Sequence, residues 1–273
     1  LLKKKYPKMK IFSGAHGHDL FADRHVGNRI PYRAESISLI DDVIVCSNEG
    51  KQYLVKNYPK FKNKFKLLNT GIRRKDFKVN SSMDSKFRIL TLSRAHPVKR
   101  ISYLLNVLKD LESISDFDIE YSHIGGDHII GGSELETLIE VSKKLNFQRF
   151  KINFLGKISD MELNNYFKES QIDVFLNVSS SEGTSLSLIE AMSYSIPVIA
   201  TKVGGNISIG NYCNTNLSID FDAKELYSYF NDIYFNKEYR ETLKSKSYNY
   251  WLENHDSESL SKKIEHTFDM ICK

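Results

Sequence analysis

"IDVFLNVSSSEGTSLSLIEAMSYSIPVIAT", residues 172–201, is the stretch that decides the fold. Its first seven residues form an apolar run typical of a buried strand, and residues 186–195 carry apolar side chains at helical spacing. A second apolar run, 196–201, indicates another strand. Strand, helix and strand in turn are typical of a parallel sheet with helices on its faces. This stretch therefore predicts an α/β fold.

The same alternation extends outward from this stretch. Upstream of it we predict strands at 87–93 and 150–156, a strand followed by a turn at 117–126, and helices at 99–111, 134–145 and 161–170. Downstream we predict helices at 222–235, 237–253 and 256–272. In the first 80 residues the pattern is incomplete, with strands at 10–14, 42–47 and 65–69 and a helix at 48–58. Two full doubly wound domains need more chain than 273 residues, so we expect the first domain to be truncated at its amino end.

Composition indicates a soluble globular protein, with 41% hydrophobic and 27% charged residues. No apolar run approaches the roughly 18 residues that a membrane-spanning helix needs. The basic start "LLKKKYPKMK" has no apolar region behind it, so no signal peptide is predicted, and it lacks an initiator methionine. The cysteines Cys46, Cys213 and Cys272 lack metal-type spacing. We interpret them as the reduced thiols of a cytoplasmic protein.

Charge is spread unevenly along the chain. Residues 1–80 hold 18 Lys and Arg against 7 Asp and Glu, whereas the remainder is acidic. This asymmetry is consistent with an anionic partner for the first part, either nucleic acid or an anionic membrane surface. A solvated basic face is the alternative.

Two glutamates flank the start of the predicted helix, Glu182 in the loop and Glu190 on the second turn. Free N–H groups and the helix dipole at such a strand-to-helix loop favour phosphate, and Gly183 lets the backbone approach a ligand. Carboxylates accept hydrogen bonds from hydroxyls, so this pair suits a sugar on each side of a diphosphate. The alternative is a capping box, Ser187-x-x-Glu190, in which Glu190 only folds back on its helix.

Further polar side chains follow two other predicted strands. Arg94 and Lys99 come directly after strand 87–93, where two cations can clamp a diphosphate. His16, His18 and Asp19 follow the first strand, but their spacing does not match a metallo-hydrolase site. We predict no metal.

The segment 181–205, "SEGTSLSLIEAMSYSIPVIATKVGG", resembles the E-x7-E signature of retaining GT-B glycosyltransferases of the GT4-like family, the glycosyl transferases group 1. "LSRAHPVKR" (92–100) is similar to the Arg-x4-Lys donor clamp of that family. The resemblance covers about residues 10 to 250. It implies a GT-B-like fold of two Rossmann-type, doubly wound domains that face each other across a cleft.

The resemblance also implies the site. The resemblance assigns catalytic roles to His16 and Glu182, which would contact the transferred sugar. The donor would be held by residues of three loops and of the helix after the last loop: Arg94, Lys99, Ile158, Gly183, Thr184, Ser185, Leu186 and Glu190. Among these, Ile158 ends the segment "NFLGKI", which edges the nucleotide base. The sequence departs from the family at one position. Three residues after the Gly-Gly the family often has a glutamate, whereas this chain has Ser208.

The predicted domains are an acceptor-side part (1–82), a donor-binding domain (83–253) and a carboxyl-terminal helix (254–273) that packs back toward the first domain. The predicted function is retaining transfer of a sugar from a UDP- or GDP-linked donor to a saccharide, or lipid-linked saccharide, in bacterial surface polysaccharide synthesis. No cofactor and no nucleic acid partner are predicted, and an anionic membrane surface is expected to meet residues 1–80. The location would be cytoplasmic or peripheral at the inner face of the plasma membrane. A non-catalytic binding subunit and a nucleotide-sugar epimerase on the same fold stay open.

Overall fold

Two parallel β-sheets carry the fold in the computed structural model, which describes residues 5–129, 131–262 and 265 and, at His18 and Arg24, the backbone alone. The first sheet has the order β1-β2-β3. Its strands are β1 (Phe12–Ala15), β2 (Asp42–Val45) and β3 (Phe65–Leu67). The helices beside it are α1 (Gly17–Leu20), α2 (Arg33–Leu39) and α3 (Asn48–Asn57), with 3-10 turns at Ala22–Arg24, Val26–Asn28 and Pro59–Lys64. Its apolar core includes Val43, Val45 and Leu54.

The second sheet has the order β6-β5-β4-β7-β8-β9, and all of its pairings are parallel. Its strands are β4 (Lys86–Leu92), β5 (Asp118–Ile124), β6 (Lys151–Gly156), β7 (Val174–Asn177), β8 (Val198–Thr201) and β9 (Asn216–Leu217). The helices are α4 (Ile101–Glu112), α5 (Glu134–Leu145), α6 (Asp160–Glu169), α7 (Leu186–Ser193), α8 (Asn206–Cys213), α9 (Ala223–Phe235) and α10 (Lys237–Asn254). This order confirms the predicted doubly wound α/β architecture.

Apolar layers on the two faces of the second sheet hold it together. Leu104, Leu108 and Phe230 belong to one layer, in which α4 and α9 cover the strands. The other layer contains Met192 of α7 and Trp251 of α10, the single tryptophan of the chain. Burial of such side chains is the main force that keeps helices on a sheet.

The strand order reverses between β4 and β7. In open α/β sheets ligands bind beyond the carboxyl ends of the strands at this point. The loop after β4 contains Arg94 and Lys99, and the loop after β7 contains Glu182. The topology thus brings the two predicted motifs to one edge.

The chain connects the two sheets in two places. Residues 68–85 link β3 to β4, and the end of α10 returns to this link, where Ile72 and Asp256 form a parallel bridge. The Asn69 side chain donates to the Asn254 carbonyl, and the ring of His255 contacts the Thr70 carbonyl at 2.9 Å. The domain boundaries at 82/83 and 253/254 stay predictions.

Several predicted elements differ from the structure. β1 begins at Phe12, two residues later than predicted. The predicted helix 99–111 is wrong at its start, because Lys99 ends a separate 3-10 turn (Pro97–Lys99) and Arg100 takes a left-handed conformation, φ 55°. Helix 256–272 is described only in part: residues 257–262 are helical, and most of the remainder lies outside the described residues.

A buried polar cluster lies inside the second sheet. The Thr91 hydroxyl lies 2.8 Å from His123 Nδ1 and 2.7 Å from the Tyr121 hydroxyl. Burial lowers the pKa of His123 to about 4. This histidine is therefore neutral in the folded protein at neutral pH.

Within the described residues, no helix is both long and apolar enough to cross a membrane. The described cysteines, Cys46 and Cys213, carry free thiols, and Cys272 lies outside the described residues.

Candidate active site

A pocket of about 310 Å³ opens between the two sheets at the carboxyl ends of β1, β2 and β7. Its lining residues come from both halves of the chain: His16, Gly17, Cys46, Thr70, Glu182, Gly183, Thr184 and Leu186. The structure thus brings together the two predicted catalytic residues and three of the predicted donor-binding residues. The sequence analysis missed Gly17, Cys46 and Thr70.

Glu182 is anchored rather than free in the loop. Its Oε1 accepts hydrogen bonds from Lys99 Nζ at 2.6 Å, Ser179 Oγ at 2.7 Å and Asn177 Nδ2 at 3.1 Å. The side chain is buried, although it lines the pocket. Glu182 thus does not project freely from the loop, because these three donors draw Oε1 into the protein. A carboxylate held by one oxygen is well oriented to accept a ligand hydroxyl with the other.

Asn177, the last residue of β7, organises this anchor. Its amide nitrogen also donates to Ser185 Oγ at 2.7 Å, and its oxygen accepts from Asn206 Nδ2 at 3.2 Å. The sequence analysis did not single out Asn177. An amide at the end of a buried apolar strand was the available signal, since a buried polar group needs hydrogen-bond partners.

Helix α7 begins where the sequence indicated, and Ser185 is its N-cap residue. Ser187 therefore lies inside the first turn and cannot cap the helix. The alternative in which Ser187 and Glu190 form a capping box is wrong. The N–H groups of the first turn, which a helix leaves without intrahelical partners, are an anion-binding feature beside the pocket.

Glu190 pairs with a lysine from the link between the two sheets. Lys75 Nζ lies 3.2 Å from Glu190 Oε1 and 4.8 Å from the ring centre of Tyr194. Burial lowers the pKa of Lys75, but Glu190 and Tyr194 raise it more, so the net pKa is raised. Glu190 does not line the 310 Å³ pocket. The sequence analysis missed Lys75, because nothing in "RRKDF" distinguishes one cation from its neighbours.

The two predicted clamp cations differ in their surroundings. Lys99 is bonded to Glu182, whereas the Arg94 side chain is exposed and forms no ion pair with a carboxylate of the described residues. Neither residue lines the pocket itself. Arg94 therefore offers a cation that no described carboxylate neutralises, and Lys99 offers one that Glu182 neutralises.

Close backbone contacts fix the loop that carries Glu182. A Cβ on Gly183 would lie 2.8 Å from Gly17 Cα. The absence of a side chain at Gly183 therefore allows the two halves of the chain to pack closely, in addition to the predicted approach of a ligand. A Cβ on Gly204, whose φ is +45°, would lie 1.8 Å from the Glu182 carbonyl oxygen. Gly205 N–H donates to the Gly183 carbonyl at 3.0 Å.

His16 and Cys46 meet on the first-sheet side of the pocket. Cys46 Sγ lies 3.0 Å from His16 Nδ1 and 3.4 Å from the Ala15 carbonyl oxygen. The Cys46 carbonyl accepts a hydrogen bond from Thr184 Oγ1 at 3.0 Å, which joins the two halves of the chain at the pocket.

Ile158, another predicted donor-binding residue, does not line the pocket. Ile158 is half-buried and packs against the apolar layer that contains Trp251. Asp19 is exposed, and the side chain of His18 lies outside the described residues. Within the described residues, no group of three or more His, Cys, Asp and Glu side chains could hold a metal ion.

A family model described as "Glycosyl transferases group 1" matches residues 72–250. Among curated relatives, the O-antigen biosynthesis glycosyltransferase WbnH of Escherichia coli is 28% identical over 225 residues, which cover 81% of this chain and 59% of WbnH. Protein CapJ of Staphylococcus aureus is 28% identical over 200 residues, which cover 70% of this chain and 46% of CapJ. The chain thus spans about half of the length of the curated relatives that it matches.

Solved structures show the same architecture. Anabaena HepE in complex with UDP has a TM-score of 0.77 at 16% identity, with 98% of this chain and 74% of that chain covered. The lipopolysaccharide outer core galactosyltransferase WaaB in its apo form has a TM-score of 0.74 at 17% identity, with 98% and 71% covered. The predicted GT-B-like fold is confirmed.

Proposed function

The chain belongs to the glycosyl transferases group 1 family, and we propose that it transfers a sugar from a nucleoside-diphosphate sugar to a saccharide acceptor. The observation that carries this proposal is the pocket in which His16 and Gly17 face Glu182, Gly183 and Thr184 across the two halves of the chain. The name of the Escherichia coli relative WbnH, an O-antigen biosynthesis glycosyltransferase, supports synthesis of a bacterial surface polysaccharide.

Different residues around the pocket bind different parts of the donor. Glu182 accepts hydrogen bonds from hydroxyls of the transferred sugar, and His16 donates one to that sugar from the opposite side. Arg94, Lys99 and the N–H groups of Thr184, Ser185 and Leu186 bind the diphosphate. Glu190, held by Lys75, accepts from the ribose hydroxyls. The loop that ends at Ile158 edges the base, which is uracil or guanine.

The reaction we propose retains the configuration at the anomeric carbon. The bond from this carbon to the diphosphate oxygen breaks, and a bond to the acceptor hydroxyl oxygen forms on the same face. The acceptor proton passes to the departing phosphate oxygen. Lys99 and Arg94 stabilise the negative charge that grows on the diphosphate, which is where preorganised cations lower a barrier most.

We propose that this stabilisation needs no metal ion. The support is the pair of cations, Arg94 and Lys99, which follow β4 at the carboxyl edge of the second sheet. Transfer by the full-length protein should keep its full rate in EDTA. Loss of activity in the chelator, with recovery on addition of Mg²⁺ or Mn²⁺, would contradict metal independence.

The acceptor is a saccharide, free or linked to lipid. The basic balance of residues 1–80 supports an anionic membrane surface as the place where a lipid-linked acceptor is met. Binding of the full-length protein to vesicles with and without anionic lipid tests this part of the proposal.

One experiment tests the function as a whole. The full-length protein is screened by thermal shift against UDP-glucose, UDP-galactose, UDP-N-acetylglucosamine and GDP-mannose. A donor at 100 times its dissociation constant should stabilise the protein by about 2.7 kcal/mol. The best binder is then supplied with saccharide acceptors, and proton NMR of the product should show the anomeric configuration of the donor.

Other outcomes identify the alternative functions. Binding without any transfer would favour a non-catalytic binding subunit. Conversion of the donor into its C2 epimer would favour a nucleotide-sugar epimerase. A product with inverted configuration would exclude the retaining mechanism.

A further inference from the structure

Cys46 is a pocket residue for which the proposed function has no role. It directly follows β2, its side chain is half-buried, and it lines the pocket together with His16 and Glu182. Its sulfur lies 3.0 Å from His16 Nδ1, which is within hydrogen-bonding distance for sulfur and nitrogen. The second acceptor near this sulfur, the Ala15 carbonyl oxygen, is farther away at 3.4 Å.

The protonation of the thiol decides what this contact does. Burial raises the pKa of the Cys46 thiol, although hydrogen bonds to this residue oppose the shift. The sulfur therefore keeps its proton at neutral pH and can donate it. A neutral imidazole has one donor nitrogen and one acceptor nitrogen, so a proton donated to Nδ1 leaves the ring proton on Nε2.

We propose that Cys46 is a positioning residue, whose thiol donates to His16 Nδ1 and so holds the imidazole with Nε2–H available to an oxygen of the transferred sugar. This inference rests on the proposed function, in which His16 contacts that sugar. It adds the reason why His16 presents a donor and not an acceptor. The partner of one ring nitrogen commonly sets the tautomer of a histidine in this way.

The backbone of Cys46 adds a second connection. Its carbonyl accepts from Thr184 Oγ1, and Thr184 lies two residues from Glu182. Cys46 thus ties the orientation of His16 to the loop that carries Glu182. A side-chain substitution removes the thiol contact and keeps this backbone contact, so the two effects separate.

The direct test is the tautomer of His16. A long-range proton–nitrogen NMR spectrum of the full-length protein, labelled with ¹⁵N-histidine, is recorded at pH 8 and assigned with His16→Asn. We expect the Nε2–H tautomer in the wild type, a mixture of tautomers in Cys46→Val, and the Nε2–H tautomer again in Cys46→Ser, whose hydroxyl can donate. A wild-type His16 protonated at Nδ1, or an unchanged tautomer in Cys46→Val, would overturn the proposal.

The kinetic test uses the best donor from the thermal-shift panel. Cys46→Val should lower kcat/KM by roughly threefold to tenfold, the value of one neutral hydrogen bond, and leave the affinity for UDP or GDP within about twofold. Cys46→Ser should recover part of the loss. Equal loss of bare-nucleotide affinity in Cys46→Val would indicate a general structural effect and refute the positioning role.

His16→Ala separates failure of this inference from failure of the proposed function. If His16→Ala leaves turnover of the nucleotide sugar unchanged, the proposed role of His16 is wrong. If His16→Ala lowers turnover and Cys46→Val does not, the function stands and the positioning role of Cys46 falls.

Discussion

At the residue scale, each of the two glutamates that flank the start of α7 is paired with a different lysine. Lys99, which holds Glu182, comes from the loop after β4, and Lys75, which holds Glu190, comes from the link between the sheets. Glu182 is buried and lines the pocket, whereas Glu190 is half-buried and does not. The two carboxylates therefore belong to different surroundings, and different parts of one ligand suit them.

Substitution of the two glutamates should have different effects on bare nucleotide. Glu190→Gln should weaken UDP or GDP binding by roughly 1.5–3 kcal/mol, the range for a hydrogen bond to a charged group. The reason is that the bare nucleotide, like the nucleotide sugar, contains the ribose that Glu190 is proposed to bind. Glu182→Gln should leave this affinity nearly intact and lower turnover of the nucleotide sugar. Calorimetric titration of both variants measures the difference. Equal effects in both variants would contradict the proposed division of the ligand.

The cations allow a second residue-scale prediction. Arg94→Ala and Lys99→Ala should each weaken nucleoside-diphosphate binding and lower transfer by roughly 10²–10³-fold, since each removes a preorganised charge stabiliser. Lys144→Ala, at an exposed position of α5, is the control and should change neither quantity. Wild-type nucleotide affinity in both clamp variants would refute the clamp assignment.

At the scale of elements, the shape of the loop between β7 and α7 depends on its contacts with Gly204 and Gly205, which follow β8. Gly204→Ala would place a Cβ 1.8 Å from the Glu182 carbonyl oxygen, in a left-handed conformation. We expect it to lower the free energy of unfolding by roughly 1–3 kcal/mol and to weaken nucleotide-sugar binding. Gly27→Ala is the matched control, because Gly27 has φ +72° and its Cβ would meet open space. Urea unfolding and calorimetry measure both effects, and equal losses in the two variants would refute the steric argument.

The elements also show what sequence alone can predict. Helix α5 (Glu134–Leu145) matches its predicted bounds because its apolar residues follow the helical period without interruption. Helix α8 (Asn206–Cys213) was missed, because Gly210 and several polar residues weaken its pattern. The contacts of Lys75 with Glu190 and of Cys46 with His16 join residues distant in sequence. Local patterns contain no information on such pairs.

At the scale of the whole molecule, the buried His123 makes stability depend on pH. In the unfolded chain a histidine has a pKa of about 6.5, whereas burial lowers the pKa of His123 to about 4 in the folded protein. Between these values the unfolded chain binds more protons, so acidification favours unfolding. The contribution is fully present above about pH 6.5 and is lost as the pH falls toward about 4.

From this linkage we expect His123 to account for a loss of about 2 kcal/mol in the free energy of unfolding between pH 7 and pH 5. Urea unfolding of the wild type and of His123→Gln at both pH values isolates this contribution. The pKa of His255 is also lowered by burial, opposed by its contact with Thr70, and adds a slope of the same sign to both proteins. An unchanged slope in His123→Gln would refute the assignment.

The position of Trp251 gives this chain a built-in optical probe. The indole is fully buried in an apolar layer, and its ring lies 5.3 Å from that of Tyr248. The backbone carbonyl of Trp251 accepts from the N–H of His255, beside the place where the end of α10 meets the link between the sheets. Because the chain has a single tryptophan, its fluorescence has one source. A blue-shifted emission maximum is expected from such surroundings. Any event that separates the end of α10 from the link between the sheets should move that maximum toward longer wavelengths, so a simple spectrum can follow it in real time.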